Sequence, residues 1–92
     1  MRAAKVDRNH VEIVKALRDY GAFVVSLASV GKGVPDLLIG YKRHTILMEV
    51  KFGNNKLTED QIVFHGKWTG GVLSVVSDVE SALRVLKLIE NL

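Results

Sequence analysis

The sequence predicts an α/β fold in which three helices flank a mixed four-stranded sheet, in the order αβββαβα. Two apolar runs at 37–41 and 45–50, separated by a short polar break, indicate a strand hairpin. The regions before 21 and after 78 carry apolar residues at helical spacing, which predicts a helix near each end. The chain of 92 residues fits a single domain, 1–92.

Composition limits the chemistry that this chain can perform. It contains no cysteine, which excludes a disulfide framework and a thiolate metal site. The histidines at 10, 44 and 65 lack zinc-site spacing, so a bound metal would have oxygen ligands, which suits Mg²⁺ or Mn²⁺. The net charge of +3 favours a polyanionic partner. No apolar run is long enough for a membrane span and no signal peptide is visible, so we expect an intracellular, cytoplasmic protein.

The first helix is predicted between Asp7, a suitable N-cap, and Gly21, a suitable C-terminal stop. Its apolar side chains cluster within an arc of roughly 160°, and they are Val11, Ile13, Val14, Ala16, Leu17 and Tyr20. Glu12 falls just outside that arc. It is either a solvated glutamate or a side chain that reaches over the core edge towards the hairpin.

A β-rich run at 22–28 predicts the first strand, and a loop with Gly31 and Gly33 follows it. Lys32, between the two glycines, is a candidate phosphate contact because the loop leads directly into Asp36. The alternative is an ordinary exposed loop lysine. The spacing is not that of a P-loop.

The second run of the hairpin, 45–50, is apolar at nearly every position, so we expect both of its faces to be covered. A carboxylate such as Glu49 is costly there unless something pairs with it. A two-residue turn at 42–43 brings Asp36 opposite Glu49, whereas a turn one residue later brings Asp36 opposite Lys51. Both registers gather the three side chains on one face, and a three-residue turn would separate Asp36 from the others.

The second helix is predicted from Glu59 to about Trp68, because Thr58 and Gln61 have capping-box spacing. The side chains expected to pack inward are Ile62, Phe64 or His65, and Trp68. Lys56, just before this helix, is a candidate phosphate contact. A Gly-Gly pair is expected to end this helix, and the next strand is predicted at 72–76. Ser77 and Glu80 also have capping-box spacing, which predicts the start of the closing helix.

Pro35-Asp36 followed by Glu49-Val50-Lys51 resembles the PD-(D/E)XK nuclease signature. With the flanking segments 33–38 and 56–61, nearly the whole chain is similar to the VRR-NUC branch, the virus-type replication-repair nuclease module. The resemblance implies a PD-(D/E)XK nuclease-like core of viral or bacterial origin. It implies a metal-dependent DNA endonuclease that is structure-specific for branched or Holliday-junction-like DNA, and a homodimer.

The resemblance also implies a site. Asp36 and Glu49 would hold Mg²⁺ or Mn²⁺, with the backbone carbonyl of Val50 as a further ligand, as in related nucleases. Nucleases of this family often draw another acidic ligand from the first helix, which is the role that Glu12 would take.

Two further side chains complete the implied catalytic set. Lys51 would stabilise negative charge that develops on the phosphate or would orient the attacking water. Gln61 lies near the active site in the family, and it is also the capping residue of its helix. The two roles are compatible, because a helix start aimed at the site favours anionic phosphate.

Three alternatives remain open from the sequence. Lys51 could form an ordinary surface salt bridge with Asp36 or Glu49. The chain could be a non-catalytic DNA-binding module on the same fold, although the intact acidic pair and lysine argue against this. It could also be an RNA nuclease, because no reader of a 2′-hydroxyl is recognisable in the sequence.

Overall fold

A computed structural model describes residues 8–92 and has an α/β fold with the predicted αβββαβα order. Its elements are α1 (Arg8–Asp19), β1 (Phe23–Ser26), β2 (Leu37–Tyr41), β3 (His44–Val50), α2 (Glu59–Lys67), β4 (Val72–Val76) and α3 (Val79–Ile89). Gly21, at φ 113°, follows the end of α1 as expected. Asp7, the predicted N-cap, lies outside the described residues.

The four strands form one mixed sheet in the order β1-β2-β3-β4. The pairs β1–β2 and β2–β3 are antiparallel, and β3–β4 is parallel. Parallel neighbours need a crossover connection, and α2 lies within the one that joins β3 to β4.

The hairpin between β2 and β3 turns at Lys42 and Arg43, whose φ angles are 50° and 69°. Positive φ at both central residues is typical of a type I′ turn, which matches the twist of the flanking strands. Tyr41 pairs with His44 across this turn. The structure therefore confirms the register with the turn at 42–43.

The hydrophobic core lies on one face of the sheet, beneath α1 and α3. The fully buried side chains there are Ile13, Leu17, Leu37, Ile39, Ile46, Met48 and Leu86. Burial of each such side chain contributes about 1.5–3 kcal/mol. Val11, which we expected on the buried side of α1, is 56% exposed.

The start of α3 differs from the prediction by one residue. The capping box is formed by Asp78 and Ser81, not by Ser77 and Glu80, and the Asp78 carboxylate accepts a 2.8 Å hydrogen bond from the Ser81 amide. Serine and aspartate are both good N-caps, so the sequence offers two start points. The observed start directs Ala82 and Leu86 into the core.

The opposite face of the sheet carries Leu38, Leu47 and Glu49, and α2 covers it in part. Leu47 and Glu49 are buried there, so both faces of the middle of β3 are covered as predicted. α2 contacts the sheet over a small area, and none of its own residues is fully buried. The expectation that Ile62 packs inward is therefore wrong, since it is 57% exposed.

Within residues 8–92, no helix combines the length and the apolar character that crossing a membrane would require.

Candidate active site

Asp36 is fixed at the mouth of the hairpin by hydrogen bonds from two strands. Its backbone carbonyl accepts a 2.7 Å bond from the amide of Leu27, just past the end of β1. Its carboxylate Oδ2 accepts a 2.8 Å bond from the amide of Val50, at the end of β3. Leu37 pairs with Met48, so Asp36, one residue earlier, stands opposite Glu49. These contacts place its carboxylate at the open end of the sheet.

Among residues 8–92, Glu49 is the one charged residue that is buried, with only 2% of its surface exposed. Its Oε2 accepts a 3.2 Å hydrogen bond from Nε2 of Gln61. Its Oε1 is buried and has no hydrogen-bond partner. A buried carboxylate oxygen without a partner is costly, and it is available for a further ligand.

The surroundings of Glu49 raise its pKa to about 8. Burial is the largest cause, followed by the neighbouring carboxyl group of Asp36 and its negative charge. The positive charge of Lys51 opposes the rise. The Glu49 carboxyl group therefore retains its proton at neutral pH. A cation bound at the pair would replace that proton.

At the end of β3, successive backbone amides are directed to opposite sides of the strand, one towards Asp36 and the next towards β4. The Lys51 amide donates a 2.8 Å hydrogen bond to the Val76 carbonyl of β4, whereas the Val50 amide points the other way, to Asp36. In extended backbone, the amide and carbonyl of one residue point to the same side of the strand. The Val50 carbonyl therefore faces the side on which Asp36 lies. Lys51, two residues after Glu49, shares its face of the sheet.

Gln61 caps α2, as the sequence predicts, and its side chain also contacts Glu49. Its backbone amide donates a 3.2 Å hydrogen bond to the Thr58 hydroxyl oxygen, and its side-chain Oε1 accepts a 2.9 Å bond from the Thr58 amide. The capping box at the start of α2 is thus complete. The other end of the same side-chain amide, Nε2, donates to Glu49. The cap therefore fixes the orientation of the group that contacts the buried carboxylate.

The glycine loop before Asp36 packs directly against the first turn of α2. Gly31, Lys32 and Gly33 all have positive φ, at 71°, 58° and 84°. A Cβ at Gly33 would lie 2.3 Å from the backbone oxygen of Asp60, so no larger residue fits. The sequence indicated a loop that needs glycine, but its contact with α2 is long-range and leaves no local signal.

The oxygen donors at this site suit a hard divalent cation. They are the carboxylates of Asp36 and Glu49 and the Val50 carbonyl on the same side. The described residues contain no group of three or more histidine, cysteine, aspartate or glutamate side chains that could hold a metal. Magnesium sites commonly use one or two carboxylates, with water and substrate phosphate as the remaining ligands. The pair fits that pattern.

The remaining predicted site residues are exposed. Glu12 is exposed on α1 and forms no ligand group with the two carboxylates, and Lys56 is exposed in the loop before α2. Lys32 is exposed and lies beside α2. The ion pairs among residues 8–92 join Lys15 to Asp19 and Arg84 to Glu80, so the salt bridge considered for Lys51 does not form.

One feature near the site was not anticipated. Lys32 lines a groove together with side chains of α2, including Phe64, Lys67 and Trp68. The i, i+4 spacing of the two aromatic residues was available in the sequence. From the sequence alone, this spacing predicts inward packing of the helix and not a groove.

Comparison with protein-family models, with curated proteins and with solved structures gives no match for this chain.

Proposed function

We propose that this protein is a metal-dependent endonuclease that hydrolyses phosphodiester bonds of DNA. The observation that carries the proposal is the pairing of two carboxyl groups at the open end of the sheet. One is Glu49, which is buried and has an unpartnered oxygen, and the other is Asp36. The order of elements and the resemblance of Pro35-Asp36 and 49–51 to the PD-(D/E)XK signature support assignment to the VRR-NUC branch.

Asp36 and Glu49 would hold Mg²⁺ or Mn²⁺, with the Val50 carbonyl as a further oxygen ligand. When bound, such a cation supplies Lewis acidity that polarises the phosphate and lowers the pKa of coordinated water. The protein's own contribution is to fix the two carboxylates. The Val50 amide holds Asp36, and the Gln61 amide group holds Glu49.

Lys51 supplies positive charge on the face where Glu49 lies. Its positive charge opposes the rise in the pKa of Glu49, as expected for an ammonium group near that carboxyl group. In the reaction we assign Lys51 to stabilise the negative charge that develops on the phosphate oxygens. Gln61 orients Glu49, and its position at the start of α2 also favours an anionic substrate.

DNA is the proposed substrate, and a second copy of the chain is the proposed partner. The net charge of +3 favours a polyanion, with Lys32 and Lys56 as candidate phosphate contacts. On the partly covered face of the sheet, β1 exposes 71% of Phe23 and 37% of Val25. Two-fold pairing through this apolar surface would present two sites to a branched or symmetric DNA.

The decisive experiment is a cleavage assay on branched, flapped, duplex and single-stranded DNA with Mg²⁺, with Mn²⁺ and with excess chelator. We expect cleavage that requires the metal and is lost in Asp36→Asn and Glu49→Gln. Glu80→Gln is the matched control, because Glu80 is an exposed acidic residue on α3, which packs on the opposite face of the sheet. Full cleavage in chelator would refute the metal mechanism. Binding without cleavage of any substrate would instead support a non-catalytic DNA-binding module.

A further inference from the structure

A groove beside the proposed active site is lined by aromatic, lysine and acidic side chains. It has a volume of about 270 Å³ and is lined by Lys32, Asp60, Val63, Phe64, Lys67 and Trp68. One wall is the glycine loop that precedes β2, and the other is the outer surface of α2. The groove is slightly smaller than the ~300–1,000 Å³ pockets that enclose drug-sized ligands, so it suits one small planar group.

The aromatic wall of the groove is an ordered stack. The rings of Phe64 and Trp68 are nearly parallel, with 14° between their planes and 5.7 Å between their centroids. The indole Nε1 of Trp68 donates a 2.7 Å hydrogen bond to the Gly71 carbonyl, which fixes the orientation of the ring. Stacking of a nucleobase on such a surface is worth about 1–3 kcal/mol and tolerates any base.

The groove also carries positive charge. Lys32 and Lys67 both line it, both are exposed, and neither belongs to the ion pairs of residues 8–92. Ammonium groups on either side of an aromatic surface can contact the phosphates that flank a stacked base. The carboxylate of Asp60 is a hydrogen-bond acceptor for the amino groups that bases carry.

The groove and the carboxylate pair share their supporting backbone. Gly33 packs against the backbone of Asp60 and Gln61. This contact joins the two walls, because Lys32, which precedes Gly33, and Asp60 both line the groove. Gln61 itself donates to Glu49. A nucleotide in the groove would therefore lie next to a phosphate at the proposed metal site.

We propose that this groove binds one unpaired nucleobase of the DNA, with Lys32 and Lys67 on its flanking phosphates. The inference rests on the proposed function and specifies its substrate class. The preferred DNA would contain a single-stranded or unstacked nucleotide next to the bond that is cut. A continuous duplex, in which every base is paired, would leave the groove unfilled.

The single tryptophan of the chain, Trp68, makes the proposal measurable without cleavage. The probe is an oligothymidylate of about 12 nucleotides, a length within the range bound by single-stranded DNA modules. It is added to the 92-residue chain in excess chelator, and a blunt duplex of equal length serves as the comparison. We expect saturable quenching of Trp68 fluorescence by the single strand, at an affinity at least tenfold above that of the duplex.

Two lysines with similar backbone geometry provide a matched pair of variants. Lys32 and Lys42 are both exposed at positive φ, 58° and 50°, and asparagine tolerates that conformation. Lys32→Asn should weaken binding about three- to tenfold and reduce the salt slope by about 0.7. Lys42→Asn, at the distant hairpin turn, should change neither. Phe64→Leu should reduce both the quenching and the affinity because it removes the stacked ring.

The outcomes separate this inference from the proposed function. Metal-dependent cleavage without quenching of Trp68, or equal quenching by single strand and duplex, would overturn the groove assignment alone. Quenching that responds to Lys32→Asn, together with no cleavage of any DNA, would support the groove and refute the nuclease. Quenching by an oligouridylate but not by the oligothymidylate would overturn the assignment of DNA.

Discussion

The side-chain amide of Gln61 joins the start of α2 to the buried carboxylate of Glu49, through a 3.2 Å hydrogen bond from Nε2 to Oε2. The same amide closes the capping box with Thr58. The helix cap and the proposed catalytic site therefore share one side chain.

Two substitutions of Gln61 can separate these roles. Gln61→Glu retains an acceptor for the capping box, in which glutamate is common, but replaces the donor to Glu49 with a carboxylate. We expect α2 to remain folded by circular dichroism while the cleavage rate falls by roughly tenfold or more, because the donor to Glu49 is lost and a third carboxylate lies beside the pair. Gln61→Ala should lose both the cap and the activity. Wild-type cleavage by Gln61→Glu would show that the contact with Glu49 has no role in catalysis.

The raised pKa of Glu49 predicts how the stability of the metal-free protein depends on pH. Glutamate titrates near 4.5 in the unfolded chain and near 8 in the folded protein. Between these values the folded state binds more protons, so the free energy of unfolding decreases as pH rises. At about 1.4 kcal/mol per unit of pKa, the loss is on the order of a few kcal/mol.

Thermal unfolding in chelator between about pH 4.5 and pH 8 measures this effect. The Tm of Glu49→Gln should decline less over that interval, because the substituted amide does not titrate. Added Mg²⁺ should raise the Tm of the wild type more near pH 8 than near pH 5, since the cation competes with the proton. Parallel pH profiles for the two proteins would contradict the assignment of the raised pKa.

Lys51 distinguishes catalysis from simple binding of DNA. If its charge stabilises the transition state, Lys51→Ala should reduce the single-turnover rate at saturating enzyme by roughly 100- to 1000-fold. DNA affinity should barely change. If Lys51 only contacts phosphate, the variant should bind more weakly, with a flatter salt dependence, and should regain its rate at saturation. A saturated rate within about threefold of wild type would exclude the catalytic role.

The exposed Phe23 provides a test of the proposed homodimer. Light scattering should give twice the mass of the 10.2 kDa chain. Phe23→Lys should give a folded monomer, because the side chain is 71% exposed and belongs to no core cluster. Its Tm should fall only by the stabilisation that dimerisation provides. Lys15→Ala, on α1, is a suitable control. A wild-type monomer with and without DNA would remove the two-site arrangement.

The sequence was most informative where neighbouring residues decide the structure. The start of α2 followed from Thr58 and Gln61, because a cap depends on local hydrogen bonds. For the hairpin the sequence left alternative registers open, and the structure has the one with the turn at 42–43. The start of α3 was misplaced by one residue because Ser77 and Asp78 compete as caps.

Contacts between distant segments could not be inferred in the same way. Gly33 packs closely against the backbone of Asp60, and no sequence pattern near either residue predicts this contact. The exposure of Ile62 has a similar origin, because it depends on how far α2 lies over the sheet. The carboxylate pair was predictable because hairpin pairing converts sequence separation into spatial position. The burial of Glu49 needed the structure.

The number of residues between the hairpin turn and each carboxylate determines on which face of the sheet the carboxylate lies. Twelve residues separate Asp36 from Glu49. One residue added to each strand would keep the carboxylates opposite each other but would move both to the face covered by α1 and α3. A second residue added to each strand would return them to the open face. Changes of length within this stretch should therefore be tolerated only in steps of four residues, a constraint that a series of insertion variants would display as alternating loss and recovery of activity.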